Sequence, residues 1–184
     1  MDPVEELVRT FQELVSQVPE PVQPFVVMLA AAVPFIEGEV AALIGVVGGL
    51  HPVVAGLAAA AGNFLCVLVV VLLTSRARTA VIRSRSRANP AVAGKGTAVA
   101  VEEISARQES KGRQRFKKWL VRFGVPGASI LGPLAIPTQI TSALLVSGGT
   151  PRGWVLLWQA VAIVLWTALA TVSAWAALTF VVGV

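Results

Sequence analysis

Two long uncharged stretches of this chain are each broken near the middle by proline, glycine and polar residues, and the breaks lie about 100 residues apart. The first reads Val33-Pro34-Phe35-Ile36-Glu37-Gly38-Glu39 and runs on to Gly48-Gly49. The second reads Pro133-Leu134-Ala135-Ile136-Pro137-Thr138-Gln139 and runs on to Gly148-Gly149. Hydrocarbon tolerates irregular backbone only where protein buries it or water reaches it. Paired breaks of this kind in two halves of a chain point to a transporter's binding site.

That the surroundings are hydrocarbon follows from charge. Of the 184 residues, 55% are hydrophobic and 14% charged, against about 25% charged in an ordinary soluble domain. Thirteen of the 15 Lys and Arg fall between Arg76 and Arg122. From Phe25 to Ser75 the only ionisable side chains are Glu37, Glu39, His51 and Cys66, and after Phe123 the only charged one is Arg152. The composition is that of an integral membrane protein. Its net charge of +5 marks a cytoplasmic segment beside membrane spans and does not argue for nucleic acid. Cys66, in an apolar run, is expected to be a small packing residue. The start, Asp2-Pro3-Val4-Glu5-Glu6, lacks the basic n-region of a signal peptide.

The expected architecture is all-α, a single membrane domain over 1–184. Residues 1–21 hold a short amphipathic helix (Val4 to Val18) suited to a membrane surface, ended by Pro19, Pro21 and Pro24. Residues 22–75 form a first repeat. Phe25 to Ile36 and Val40 to Leu50 are each too short for the ~20 residues of a span. They read either as one kinked span or as a re-entrant hairpin with its tip near Pro34 to Glu39, and the polar tip and the Gly48-Gly49-Leu50-His51-Pro52 turn favour the hairpin. Val53 to Leu73 follows as an uncharged span, small-residue-rich in its first half as close helix packing in lipid requires. Residues 76–122 are a basic cytoplasmic loop (Arg76 to Ala98) and a second interfacial helix (Val99 to Arg122). Residues 123–184 repeat the pattern: a hairpin candidate from Phe123 to Pro151, then Gly153 to Val184, longer than one bilayer and so tilted or projecting. Hairpin plus span twice, with the basic loop inside, gives opposite topologies: an inverted repeat of the kind that supports alternating access around a midplane site.

Glu37 and Glu39 are the first candidates for chemistry. A carboxylate at the bilayer centre costs at least ~2.5–3.5 kcal/mol, so such residues face a cavity and do work. Two of them this close in low dielectric resist ionising together, as a proton-coupling site requires. Hydrated glutamates at a shallow tip are the plain alternative. Thr138, Gln139, Thr141 and Ser142 make the second tip polar; with freed backbone N–H groups they would bind phosphate, or else only cap helix ends. Asn63 and Gln159, one in each span, line the path or satisfy hairpin backbone. Arg152 would hold an anionic headgroup, pair with a glutamate or anchor the surface, and His51 reads as a surface-loop histidine. Neither a metal-ligand spacing, a Ser-His-Asp set nor a phosphate-cradling loop is visible, so no cofactor, no metal and no enzyme activity are expected.

The order Pro34-Phe35-Ile36-Glu37-Gly38-Glu39, then Gly48-Gly49-Leu50-His51-Pro52, then Ala61-Gly62-Asn63, resembles the small multidrug export protein family. Arg122-Phe123-Gly124, Pro133, Pro137-Thr138-Gln139 and Gly148-Gly149 fit the same pattern, and the resemblance runs from roughly Phe25 to Trp175. That family is similar to the wider DedA/VTT superfamily. The resemblance implies two re-entrant hairpins and ion-coupled lipid flipping, including recycling of polyprenyl-phosphate carriers, with Glu37 and Glu39 as the acidic members. One departure is that DedA proteins carry an arginine in the second hairpin, where Ile136 to Ile140 has no charge; Arg152 is nearest.

The leading expectation is a secondary transporter or flippase of an amphiphile, an anionic lipid of the polyprenyl-phosphate type, coupled to protons or ions through Glu37 or Glu39. Export of small cationic drugs through the same glutamates is the second expectation, and a non-transporting scaffold for a cell-envelope enzyme the third. Partners would be membrane lipids and further copies of the chain, a homodimer or larger, with no nucleic acid. The Ala-rich, Arg-over-Lys composition suits a GC-rich bacterial source, hence a multi-pass protein of the bacterial inner (plasma) membrane.

Overall fold

A computed structural model describes residues 17–88 and 124–182, together with Thr10 and Glu13. All the regular structure in these residues is helical. The two expected interfacial helices fall outside the described residues, apart from Thr10, Glu13, Gln17 and Val18 of the first.

Helix α1, Gln23–Ala31, carries Pro24 in its first turn, where a missing N–H would be unbonded anyway. After a turn over Ala32 to Ile36 the chain resumes as α2, Glu37–Val47. Gly48-Gly49 ends α2: the Leu50 N–H donates to the Gly45 carbonyl at 3.0 Å and the Gly49 N–H to the Val46 carbonyl at 3.1 Å. This closure needs left-handed backbone at Gly49, whose φ is 93°, a conformation open to a residue without Cβ. Helix α3 then runs Pro52–Ala88. The same order of elements recurs. Residues 124–131 form α4, followed by a 3-10 turn at Gly132–Leu134. A break at Ala135 to Pro137 leads to α5, Thr138–Ser147. The α5 end is closed by Thr150 donating to Leu145 at 3.1 Å and Gly149, at φ 99°, donating to Val146 at 3.0 Å. Helix α6, Arg152–Ala177, continues into a wider π-type stretch at Leu178–Val182.

One boundary differs from expectation. The basic loop was expected to begin at Arg76, but α3 continues as helix to Ala88. From Asn63 to Ala88 there is neither glycine nor proline, and alanine and arginine are strong helix formers, so the added charge does not end the helix.

Helices α3 and α6 pack together and α2 lies against both, with α1 on α2 and α3, and α5 on α3 and α6. Two apolar clusters result. Val27, Ile36, Ile44, Ala55, Ala59 and Ala174 belong to one; Val67, Val71, Ala128, Leu145, Val155 and Ile163 belong to the other. Asn63 on α3 and Thr167 on α6 therefore fall between the clusters in sequence, and both are buried. The approaches are close. A Cβ on Gly62 would stand 2.1 Å from the Met28 carbonyl oxygen, and one on Gly38 would stand 2.2 Å from Thr167 Oγ1.

Among the described residues, two helices are long and apolar enough to cross a membrane: Pro52–Ser84 and Arg152–Phe180, of 33 and 29 residues, with mean hydropathy of 2.4 and 2.1 in their most apolar windows. Only 33% of each window is buried. Leu57, Leu65, Val69 and Leu73 on α3 and Leu157, Val164, Leu169 and Val172 on α6 are instead exposed. An exposed apolar surface of this kind marks a membrane or protein contact.

Candidate functional site

The two breaks meet. At the first, Phe35 and Glu37 adopt left-handed backbone, φ 73° and 50°, which costs non-glycine residues about 1–3 kcal/mol each. The bend starts α2 on Glu37 and buries its side chain. At the second break Pro137 is the residue before α5 and supplies no side-chain cap. The first N–H groups of any helix lack intrahelical acceptors and carry partial positive charge. Glu37 fills that role from 101 positions away: its Oε1 accepts from the Thr138 N–H at 2.5 Å and from the Thr138 hydroxyl at 2.8 Å. A carboxylate of one half thus caps a helix of the other.

Asn63 of α3 completes the cluster. Its amide lies 3.1 Å from Thr138 Oγ1 and 3.2 Å from the Gln139 amide nitrogen. Thr138 has one hydroxyl hydrogen. If that hydrogen serves the carboxylate, Asn63 turns its nitrogen toward Thr138 and Gln139 turns its oxygen toward Asn63. In either arrangement one polar atom of each amide is left without a protein partner. Buried amides that retain bonding capacity imply water or ligand as the missing partner. Ser142 closes the α5 turn by donating to the carbonyls of Thr138 and Gln139. Thr141 is buried with its hydroxyl unpartnered.

The sequence-predicted residues separate cleanly. Glu37, Asn63, Thr138 and Gln139 come together. Glu39, two positions beyond Glu37 and so on a different face of α2, is half-buried outside this bonding. Arg152 is exposed at the start of α6 and does not join the cluster. His51 is exposed, and its Nδ1 accepts from the Val53 N–H at 3.3 Å, capping α3. Cys66, half-buried one turn past Asn63, points its thiol at the Ala32 carbonyl at 3.3 Å. Gln159 is buried with both amide atoms unpartnered. No three His, Cys, Asp or Glu among the described residues are placed to hold a metal ion.

Thr167 and Thr171 were not singled out by sequence. They lie one turn apart on α6 and pack on Gly38 of α2 and Gly56 of α3. They also line a groove of about 530 Å³ between α3 and α6, otherwise walled by apolar side chains such as Leu57, Val164 and Val172, with His51 and Trp175 on its lining. That volume falls within the ~300–1,000 Å³ of small-molecule sites. Because Thr167 touches both the groove and Gly38, an apolar compartment adjoins the turn that carries Glu37. The only local signal was glycine and threonine inside apolar runs, and the partners lie too far apart in sequence for that to identify them.

Comparison with known protein families, curated proteins and solved structures finds no match to this chain. The site is therefore interpreted from its own chemistry.

Proposed function

We propose that this chain is a secondary membrane transporter of an amphiphile, built as an inverted repeat of re-entrant hairpin and span, with Glu37 as its proton-dependent latch. The observation that carries this reading is the buried Glu37 carboxylate bonded to the N-terminus of α5. As an ion, Glu37 holds the two hairpins together by two hydrogen bonds to one charge, each about 1.5–3 kcal/mol. Protonation removes the charge and weakens the latch. The α5 N-terminus is then free to take an anionic headgroup, as helix N-termini do, so that one proton enters with one anion. The groove beside Thr167 takes the hydrocarbon chain. A polyprenyl-phosphate type of lipid combines these features, and the basic segment from Arg76 faces the cytoplasm of a bacterial cell. A homodimer encloses the substrate that each short hairpin alone cannot.

The absence of Lys and Arg side chains from the described cluster favours a second reading, export of a cationic amphiphile exchanged for protons at Glu37 and Glu39. Uptake in proteoliposomes separates the two. Under an imposed pH gradient, the anion reading expects accumulation of a fluorescent lipid phosphate that Glu37→Gln uncouples from the gradient. Accumulation of a cationic dye instead supports export. Wild-type rates for Glu37→Gln and Glu39→Gln with both substrates would refute transport through these carboxylates and leave the scaffold reading.

A further inference from the structure

Arg78 lies on α3 two turns beyond Val71, past the last apolar cluster residue on that helix, and reaches the turn that ends α5. A Cβ on Gly149 would sit 3.1 Å from Arg78 Nη2. The Arg78 Nε is buried and has no acceptor among the described residues. A buried charged donor without an acceptor is one of the costlier defects a fold can carry. The adjacent helix end is closed by backbone alone, the Leu144, Leu145 and Val146 carbonyls accepting from Gly148, Thr150 and Gly149. Three positions after Gly149, Arg152 is exposed at the start of α6, and on the same helix the Trp154 ring packs edge-on to Trp158 at 5.8 Å. The Trp158 indole N–H is likewise buried without a partner. Val81 and Ile82, exposed further along α3, are apolar.

We propose that Arg78 binds the phosphate of an anionic phospholipid at the α5–α6 turn, with Arg152 at its rim. A guanidinium fork matches phosphate oxygens in pairs, tryptophans favour the headgroup level of a bilayer, and the apolar flank suits acyl chains. This site lies at the opposite end of α5 from Glu37, ten residues or about 15 Å away along the helix. It rests on the membrane placement proposed above and not on transport.

The test uses the full chain in phosphatidylcholine nanodiscs, with tryptophan emission followed as brominated phosphatidylglycerol or brominated phosphatidylcholine replaces the host lipid. Half-maximal quenching by the anionic lipid is expected at about ten-fold lower mole fraction, the worth of one charged hydrogen bond. Arg78→Gln should erase that preference and Arg152→Gln should reduce it only in part. A preference that survives Arg78→Gln overturns the assignment. If Arg78→Gln loses its helical circular dichroism, Arg78→Lys decides, because it keeps the charge and loses the fork: a reduced preference supports the site and an unchanged one refutes it. Loss of the wild-type preference in millimolar inorganic phosphate would assign the site to a soluble anion and overturn the lipid. Quenching by neither lipid would mean that the membrane placement itself is wrong.

Discussion

The two breaks have the same place in the element order but opposite chemistry. The first is strained and acidic: Phe35 and Glu37 hold left-handed backbone, and the turn delivers a carboxylate. The second contains no left-handed residue from Ala135 to Pro137 and delivers bare N–H groups and neutral side chains. One half is the acceptor and the other the donor. Packing differs in the same sense. In the first half Gly62 lets α3 onto the α1 backbone at Met28, and Gly45 lets α2 onto Ala55 and Val27. In the second half a Cβ on Gly132 would meet only the Thr141 side chain, at 3.3 Å. The close approach at Gly62 is thus to backbone, which cannot move aside, whereas that at Gly132 is to a side chain that can give way.

The largest effect should separate these two contacts. Gly62→Ala places a methyl where the Met28 carbonyl stands and should cost about 3 kcal/mol or more, the upper end of overpacking. Gly132→Ala should cost about 1 kcal/mol or less, because Thr141 can shift. Unfolding midpoints in a denaturing-detergent titration measure both, and equal losses would break the asymmetry. Next comes the carboxylate. Glu37→Gln keeps the shape and removes the charge, so a loss of about 1.5–3 kcal/mol is expected at neutral pH. Glu39→Gln should change stability by less than about 0.5 kcal/mol. Thr138→Val is smaller again. It deletes the hydroxyl bond to Glu37 and the contact to Asn63 but keeps the backbone N–H, for about 1–2 kcal/mol.

Much of this arrangement was legible in the chain. The prolines and paired glycines place both breaks and both helix ends, because each closing turn needs left-handed backbone that glycine supplies. Glu37, Asn63, Thr138 and Gln139 were picked out as polar residues in apolar runs, where an ionisable or amide group is costly unless it is used. Their mutual contact was not legible, since nothing local in Thr138 reports a carboxylate 101 positions away. The same limit applied to Thr167 and Gly38. Helix α3 continues past Arg76 for another reason: alanine and arginine favour helix, and no glycine or proline interrupts residues 63–88. Arg152 was favoured for its position beside Pro151, yet it is Arg78, on the other long helix, that reaches the α5 turn.

The smallest expected effect concerns how the long helices begin. His51 accepts the Val53 N–H and so caps α3 from an exposed position. Pro151, the matching residue before α6, makes no side-chain cap. Removing a cap commonly costs ~0.5–2 kcal/mol, with exposed sites at the low end, so His51→Ala should lower stability by about 0.5 kcal/mol. His51→Asp should recover that loss, because a carboxylate is a good N-cap and suits the positive helix end. Thermal unfolding of the detergent-solubilised protein resolves such shifts when the three proteins are run side by side. A loss well above 1 kcal/mol in His51→Ala, or no recovery in His51→Asp, would show that the histidine does more than close a helix turn. The groove it lines between α3 and α6 would then be where to look for its partner.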